Sequence, residues 1–346
     1  MEKIHISILG GLALLIMIIL IIPSVIVSPF VSKTNVFQVE DIVKNRKELK
    51  PSLNSFPTEA SVEVAVYRTK SNLVEKVALE EYVAGVVASE MPVSFELEAL
   101  KAQSLAARTF IVNRLLSDFS GGKKSHTDIT DQSTFNQAYK NKEELKELWK
   151  DQYDVYMSKI EAAVFATRGF ILTYDEEPID PSFFSASNGY TENSEEIWSY
   201  PLPYLRSVES PWDKQSPHYH DQKVLELEQF EKKLGVKLDK NSVFAKVIAK
   251  TKGGRVKEIE ISGQSFTGKE VRDLLDLKST DFTLKKAGET VLIKTLGHGH
   301  GVGMSQYGAN GMAKEGKTYK DIIHYYYKDI DISKVDPYID TLVVKE

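Results

Sequence analysis

A proline set between two helix-forming runs constrains this chain more than any other feature. Pro92 lacks the amide hydrogen that a helix interior needs and pushes the residue before it out of the α region. A helix arriving over about Leu79 to Ser89 must therefore stop there. Beyond the break, Leu97, Leu100, Ser104, Ala107 and Ile111 recur at helical spacing, which gives a second helix one face to bury. Glu90 is left at the C-terminal end of the first helix or in the bend after it. The negative end of the helix dipole and a partly apolar setting both raise a carboxyl pKa, which keeps a glutamic acid protonated for general-acid work near neutral pH. The ordinary alternative is a solvated glutamate at a helix end.

The 346 residues carry a net charge of -5 and no cysteine. Disulfides, thiol catalysis and cysteine-based metal sites are excluded, and the mild charge offers nothing for a nucleic acid to bind. Ile4 to Ile22 are almost wholly apolar, end at Pro23 and are long enough to cross a bilayer. Lys3 precedes this run and no small-x-small cleavage site follows. Residues 1–30 thus read as an uncleaved transmembrane helix with its N-terminus inside rather than as a signal peptide. Residues 31–58, with Lys44, Arg46, Lys47, Pro51 and Pro57, read as a polar stalk. The extracytoplasmic folded part, 59–346, opens with Val62, Val64 and Val66 alternating as a half-buried strand does. Helices of unequal length separate the strands, with no dinucleotide fingerprint and no regular βαβ rhythm, so the fold class is α+β with mixed or antiparallel strands. Residues 221–280 look like an inserted α+β module: a polar helix around Leu225 to Leu234, a hairpin of Ser242 to Lys250 and Val256 to Ile261, and a helix from Gly268 to Leu275.

Candidate functional groups gather outside that module. The segment from Gly121 to Tyr139 is polar and lacks helical periodicity. Its Asp131, Gln132 and Tyr139 suit sugar hydroxyls and the apolar faces of pyranose rings, or serve as plain surface. A helix over about Val155 to Thr167 ends at Gly169, a strand runs from Phe170 to Tyr174, and Asp175 to Pro178 turn the chain back. Ser185 and Asn188 then put small polar groups at the end of an apolar strand. Arg206, two residues after Tyr204, either forks onto a carboxylate or pairs with a surface glutamate. Gly297, Gly299, Gly301 and Gly303 alternate with His298, His300 and Val302, which demands a backbone passing very close to something. Zinc on His298 and His300, with His218 and His220 at the same spacing, lacks a clear third or fourth ligand. The alternative is a packed glycine turn in which these histidines hydrogen-bond and support a cleft. A helix from Thr318 to Tyr327 closes the core through Tyr319, Ile322, Ile323 and Tyr326.

Taken together, Ala88–Pro92, Ala99–Phe110, Asp131–Tyr139, Ser185–Gly189, Tyr204–Val208 and Gly297–Ala309 resemble the stage II sporulation protein D family, related to the amidase enhancers of bacterial cell walls. The resemblance runs over most of Val62 to Ile330. It implies a lytic transglycosylase whose helices and strands form a glycan-binding cleft, acting on peptidoglycan strands that have lost their stem peptides. It further implies work during forespore engulfment, in the mother-cell membrane and facing the space between the two membranes. The implied partners are a sporulation amidase, stage II sporulation protein P, and a membrane scaffold, stage II sporulation protein M. The family's catalytic glutamate carries over onto Glu90, in the same Ser-Glu-Met-Pro context. The matching blocks imply a substrate-binding set of Lys101, Gln103, Ser104, Arg108, Asp131, Gln132, Tyr139, Ser185, Asn188, Tyr204, Arg206, His298, His300, Gln306 and Tyr307. Asp131 is the second carboxylate of these motifs and leaves a two-carboxylate hydrolase as one rival. An enhancer that grips glycan without cutting it is the other. Arg206, with Arg108 or Lys101, is expected to read the free lactyl carboxylate of a stripped strand. Some relatives bind zinc through Cys and His in the segment matching His126 to Ala138. This chain has His126 but no cysteine, so no cofactor is expected.

Overall fold

The computed structural model describes residues 62–120, 127–132, 136–198, 200–238 and 244–343, with 118–120 and 340–343 as backbone only. The expected membrane helix, the stalk, His126 and Ser242 lie outside these residues. No helix among the described residues is long and apolar enough to cross a membrane. Strands β1 (Glu63–Arg68) and β2 (Leu73–Ala78) form an antiparallel hairpin, with Val64 and Val66 buried as their alternation requires. β2 runs straight into α1 (Leu79–Glu90), which stops where Met91, ahead of Pro92, turns extended at φ −117° and ψ 140°. Helix α2 (Leu97–Ser120) follows, and β3 (Ile129–Thr130) returns parallel to β1. Next come α3 (Lys142–Trp149), started by an Asn141–Glu144 capping box, and α4 (Tyr153–Ala166). Strand β4 (Phe170–Tyr174) turns through Asp175 and Glu176, both at positive φ, into β5 (Glu177–Pro178), as a two-residue hairpin demands.

After β6 (Phe183–Phe184) the chain is irregular up to β7 (His220–Glu226). The elements α5 (Leu227–Leu234), β8 (Ala245–Lys250), β9 (Val256–Ile261), β10 (Gln264–Thr267), α6 (Gly268–Leu275), β11 (Phe282–Ala287) and β12 (Thr290–Leu296) follow. Strand β13 (Met304–Ser305) pairs parallel with β6 and leads into α7 (Gln306–Lys314) and α8 (Tyr319–Tyr326). Strand β14 (Asp331–Lys334) pairs with β4, and α9 (Asp336–Val343) ends the described chain. The sheets are small and mixed, as an α+β fold implies: β2-β1-β3, β14-β4-β5, β13-β6, β11-β12-β7 and β10-β9-β8.

Helix α2 is the axis of the main core. Its periodicity suggested one buried face, yet Leu100, Ala102, Leu105, Ala106, Ala107 and Ile111 are all fully buried, together with Gln103, Ser104, Arg108 and Thr109. The small side chains let α1, α4, α7, α8, α9 and β4 close on it from several directions. Ser104 Oγ and Thr109 Oγ1 are satisfied within the helix, donating to the Leu100 and Leu105 carbonyls at 2.8 and 2.7 Å. A second core holds Leu225, Phe230, Val256, Ile259, Val271, Phe282, Val291 and Ile293. It thus continues past residue 280, with Val291 and Ile293 on β12, the central strand of the sheet β11-β12-β7.

The two cores are tied by buried polar contacts. Arg255 pairs with Glu192 at 3.0 Å, both side chains almost fully buried, and Thr251 Oγ1 donates to the same carboxylate at 2.6 Å. Asp213, also buried, accepts hydrogen bonds from Ser187, Ser210 and Ser305, and Ser210 Oγ in turn accepts from the Tyr326 hydroxyl at 2.7 Å. The start of α7 is thereby locked to α8 and to the strand-end loop.

The glycine run passes close to backbone. At Gly303, φ is +80° and a Cβ would meet the Ser182 carbonyl oxygen at 1.9 Å, whereas Gly169, at φ +76°, has nothing within 4 Å. Gly169→Ala should therefore cost only backbone strain, about 1 kcal/mol, and Gly303→Ala about 3 kcal/mol or more. Thermal denaturation of the two variants checks this, and equal melting temperatures would mean that the β6–β13 approach is not what requires the glycine.

Candidate active site

Glu90 is the last residue of α1, and its placement follows from two close contacts. Gly85, five residues back, lies flush against the Tyr139 ring and the Lys140 backbone; a Cβ there would meet Tyr139 Cε2 at 2.5 Å and the Lys140 carbonyl oxygen at 2.6 Å. Tyr139 itself stacks on Tyr82 of α1 at 5.3 Å, with the Arg68 guanidinium 5.0 Å from its ring centre. The segment held this way brings the Ala138 N–H to Glu90 Oε1 at 2.6 Å. Burial pushes the Glu90 carboxyl above the usual range, against the opposing pull of the Ala138 N–H, the Gln306 side chain and the Lys140 cation.

Glu90 opens into a cavity of about 490 Å³. Its walls are Phe110 of α2, Asn136 and Gln137 before Tyr139, Asp180 to Ser185, His298 to His300, and Gln306 at the start of α7. Two amide side chains border the carboxyl: Gln306 acts on the Glu90 carboxylate as a side-chain donor, and the buried Nε2 of Gln137 has no hydrogen-bond partner. A buried donor without a partner is costly, and Gln137 leaves one such bond unmade in this wall.

A second carboxyl shares the cavity. Asp180 is held by its own N–H, which donates to the Tyr204 hydroxyl at 3.0 Å, and by Ser182 Oγ, which donates to Oδ1 at 3.1 Å. Burial raises its pKa and Ser182 opposes the rise. The histidines on the opposite wall are neutral. Burial lowers His300 to about 4; its Nδ1 accepts the Val302 N–H at 3.1 Å and its other nitrogen faces the Phe183 carbonyl. His298 is also lowered, by burial first and then by Lys278, His218 and Arg272. His218 stands edge-on to His298, while His220 turns outward against Tyr219. The four therefore do not converge, and no group of three or more metal-ligating side chains occurs among the described residues.

The cavity brings together five of the residues nominated from the sequence: Glu90, Ser185, His298, His300 and Gln306. The others lie elsewhere. Arg108 is fully buried and donates to both Glu80 oxygens at 2.9 and 2.7 Å and to the Thr167 carbonyl at 2.8 Å, so it has no donor left for a substrate carboxylate. Lys101 pairs with Glu98 at 2.6 Å and Arg206 forks onto Glu195 at 2.8 and 2.6 Å. Asp131 accepts from Thr69 and faces Arg68, well integrated into the β1 hairpin, and Gln132 is exposed beyond it. Gln103 and Ser104 sit inside the core with α2. Tyr139 and Tyr204 support Ala138 and Asp180 from behind, Asn188 bridges to Gly253 and Asp281 of the module, and Tyr307 lines a neighbouring pocket.

Phe110, Asn136, Gln137 and Asp180 escaped the reading of the sequence. Asp180 had one usable signal, an acidic residue immediately before Pro181 at the end of a hairpin, where an extended backbone presents its side chain. Asn136 and Gln137 lie within the polar segment that was singled out, two residues from Tyr139, and nothing local separates them from Asp131 and Gln132.

Comparison with known proteins agrees with the blocks that build this site. A family model described as stage II sporulation protein matches residues 67–174, from β1 through Glu90 to the end of β4. Stage II sporulation protein D of Bacillus subtilis (strain 168) is 45% identical over 337 residues, spanning 97% of this chain and 98% of that protein. Its counterpart from Bacillus amyloliquefaciens is 44% identical over 345 residues, 98% of each chain. The amidase enhancer of Bacillus subtilis (strain 168) is 30% identical over 297 residues, covering 70% of this chain and 39% of that protein. With near-complete coverage at this identity, the chain belongs to the stage II sporulation protein D family.

Proposed function

We propose that this protein is a membrane-anchored lytic transglycosylase that remodels the cell wall in sporulation, cutting peptidoglycan strands already freed of stem peptides. The observation that carries the reading is Glu90: a half-buried carboxyl with a raised pKa, held by the Ala138 N–H and the Gln306 side chain at the wall of a cavity. Protonated Glu90 gives its proton to the glycosidic oxygen between N-acetylmuramic acid and N-acetylglucosamine, and the bond from the muramic C1 to that oxygen breaks. The resulting carboxylate takes the proton of the C6 hydroxyl as O6 bonds to C1, which closes the 1,6-anhydro ring and restores the acid. No water is consumed, and one carboxyl group serves both steps. The apolar run Ile4–Ile22 supplies the anchor in this reading, in the mother-cell membrane with the folded part facing the space between the two membranes, with an amidase such as stage II sporulation protein P stripping the strands and stage II sporulation protein M as scaffold.

Two other readings have specific support. Asp180, rather than Asp131, is the second carboxyl that a hydrolase would use, since it shares the cavity with Glu90. Similarity to an amidase enhancer favours a protein that binds glycan and cuts nothing. Products of the full-length protein on amidase-stripped and intact peptidoglycan, analysed by mass spectrometry, separate all three. Anhydro ends should appear from stripped strands, and Glu90→Gln should reduce their rate of release by about 100- to 10,000-fold while strand binding persists. Reducing ends that depend on Asp180 would mean the hydrolase, and binding without any product would mean the enhancer.

The pH profile gives a second test. Because Glu90 must be protonated in the free enzyme, kcat/KM should fall as pH rises through its elevated pKa. Lys140 is one of the groups holding that pKa down, so Lys140→Met should move the alkaline limb to higher pH. An unmoved limb would assign it to another group.

A further inference from the structure

The three cations nominated to read a lactyl carboxylate are each neutralised by a glutamate: Lys101 by Glu98, Arg108 by Glu80 and Arg206 by Glu195. A different cation stands beside a second cavity of about 320 Å³, lined by Phe95, Trp212, Gln215, Tyr307, Asn310 and Lys314. Lys314 is exposed at the end of α7 and forms no ion pair among the described residues. The rings are set rather than loose. Phe95 packs edge-on against Tyr307 at 4.9 Å, and Trp212 does so against Tyr325 at 5.5 Å. Gly311 lets α7 press against Trp212; a Cβ there would meet Trp212 Cβ at 2.3 Å.

This cavity adjoins that of Glu90. Pro92, on its rim, lies two residues from Glu90, which lines the first cavity, and the intervening Met91 is buried. On the other wall, Gln306 lines the first cavity and the adjacent Tyr307 the second. His218 touches both His298 of the first and Tyr307 of the second, at 5.5 and 5.7 Å between ring centres.

We infer that the second cavity is a further saccharide subsite on the same strand, in which the aromatic rings take a pyranose face and Lys314 reads the lactyl carboxylate of a peptide-free muramic residue. An intact strand carries an amide in place of that carboxylate, so its lactyl carbonyl presents no charge to Lys314. The subsite rests on the glycan reading of the Glu90 cavity and extends it to substrate selection.

Equilibrium binding tests it on full-length protein carrying Glu90→Gln, which prevents turnover. The probes are peptide-stripped glycan strands and chitooligosaccharides of equal length, which lack the lactyl group. Adding Lys314→Met should raise the Kd for stripped strands about tenfold and leave that for chitooligosaccharides unchanged. Lys314→Glu should weaken the stripped strands further by repulsion. Unchanged affinity for stripped strands in both variants, or an equal loss for both glycans, would overturn the assignment. No binding of stripped strands before Lys314 is changed would overturn the glycan reading with it. A failure confined to Lys314 leaves the anhydro products of the wild type untouched, so the two ideas fail separately.

Discussion

The buried guanidinium of Arg108 is the contact on which the site's geometry depends. It donates to both oxygens of Glu80 in α1 and to the carbonyls of Val164 and Thr167 where α4 ends. Helices α1 and α4 are thereby fixed to α2, and the direction of α1 determines where Glu90 leaves it. Removing one member of such a pair strands a buried charge at a cost of about 3–5 kcal/mol. The same burial that makes Arg108 structural denies it to a substrate. Its place inside a matching sequence block reflects support of the glutamate rather than contact with glycan.

The second requirement is a wall opposite Glu90. The β6–β13 pair supplies it: Gly303 passes against Ser182, His298 exchanges backbone hydrogen bonds with Ala186, and Asp213 gathers three serine hydroxyls beneath. Histidines in that wall are neutral and at least His300 is fully engaged, so they contribute shape and ring faces while charge in the cavity is left to the carboxyl groups. Glu90 and Asp180 are both raised by burial, yet they differ in support: one accepts a backbone N–H, the other a serine hydroxyl.

Much of this was legible in local sequence. Pro92 marked the end of α1, β4 and α6 run over the residues their patterns indicated, and the Asp175–Glu176 turn and the Thr318 cap follow from turn and capping chemistry. What local sequence does not encode is which distant group meets which. Burial of α2 on nearly every side depends on several elements closing over small residues, and the neutralisation of Lys101, Arg108 and Arg206 depends on where Glu98, Glu80 and Glu195 fall. Asp131 and Asp180 look alike as isolated acidic residues. Only the fold sends one to Thr69 and Arg68 and the other into the cavity with Glu90.

The central claim is that Glu90 closes an intramolecular ring without water, and the origin of the new bond to the muramic C1 tests it most directly. Stripped strands would be cut by the wild-type protein in oxygen-18 water and the fragments weighed by mass spectrometry. The account predicts anhydro ends free of solvent label, because O6 of the same sugar forms the bond. One labelled oxygen at C1 would show that water attacks instead and would contradict it.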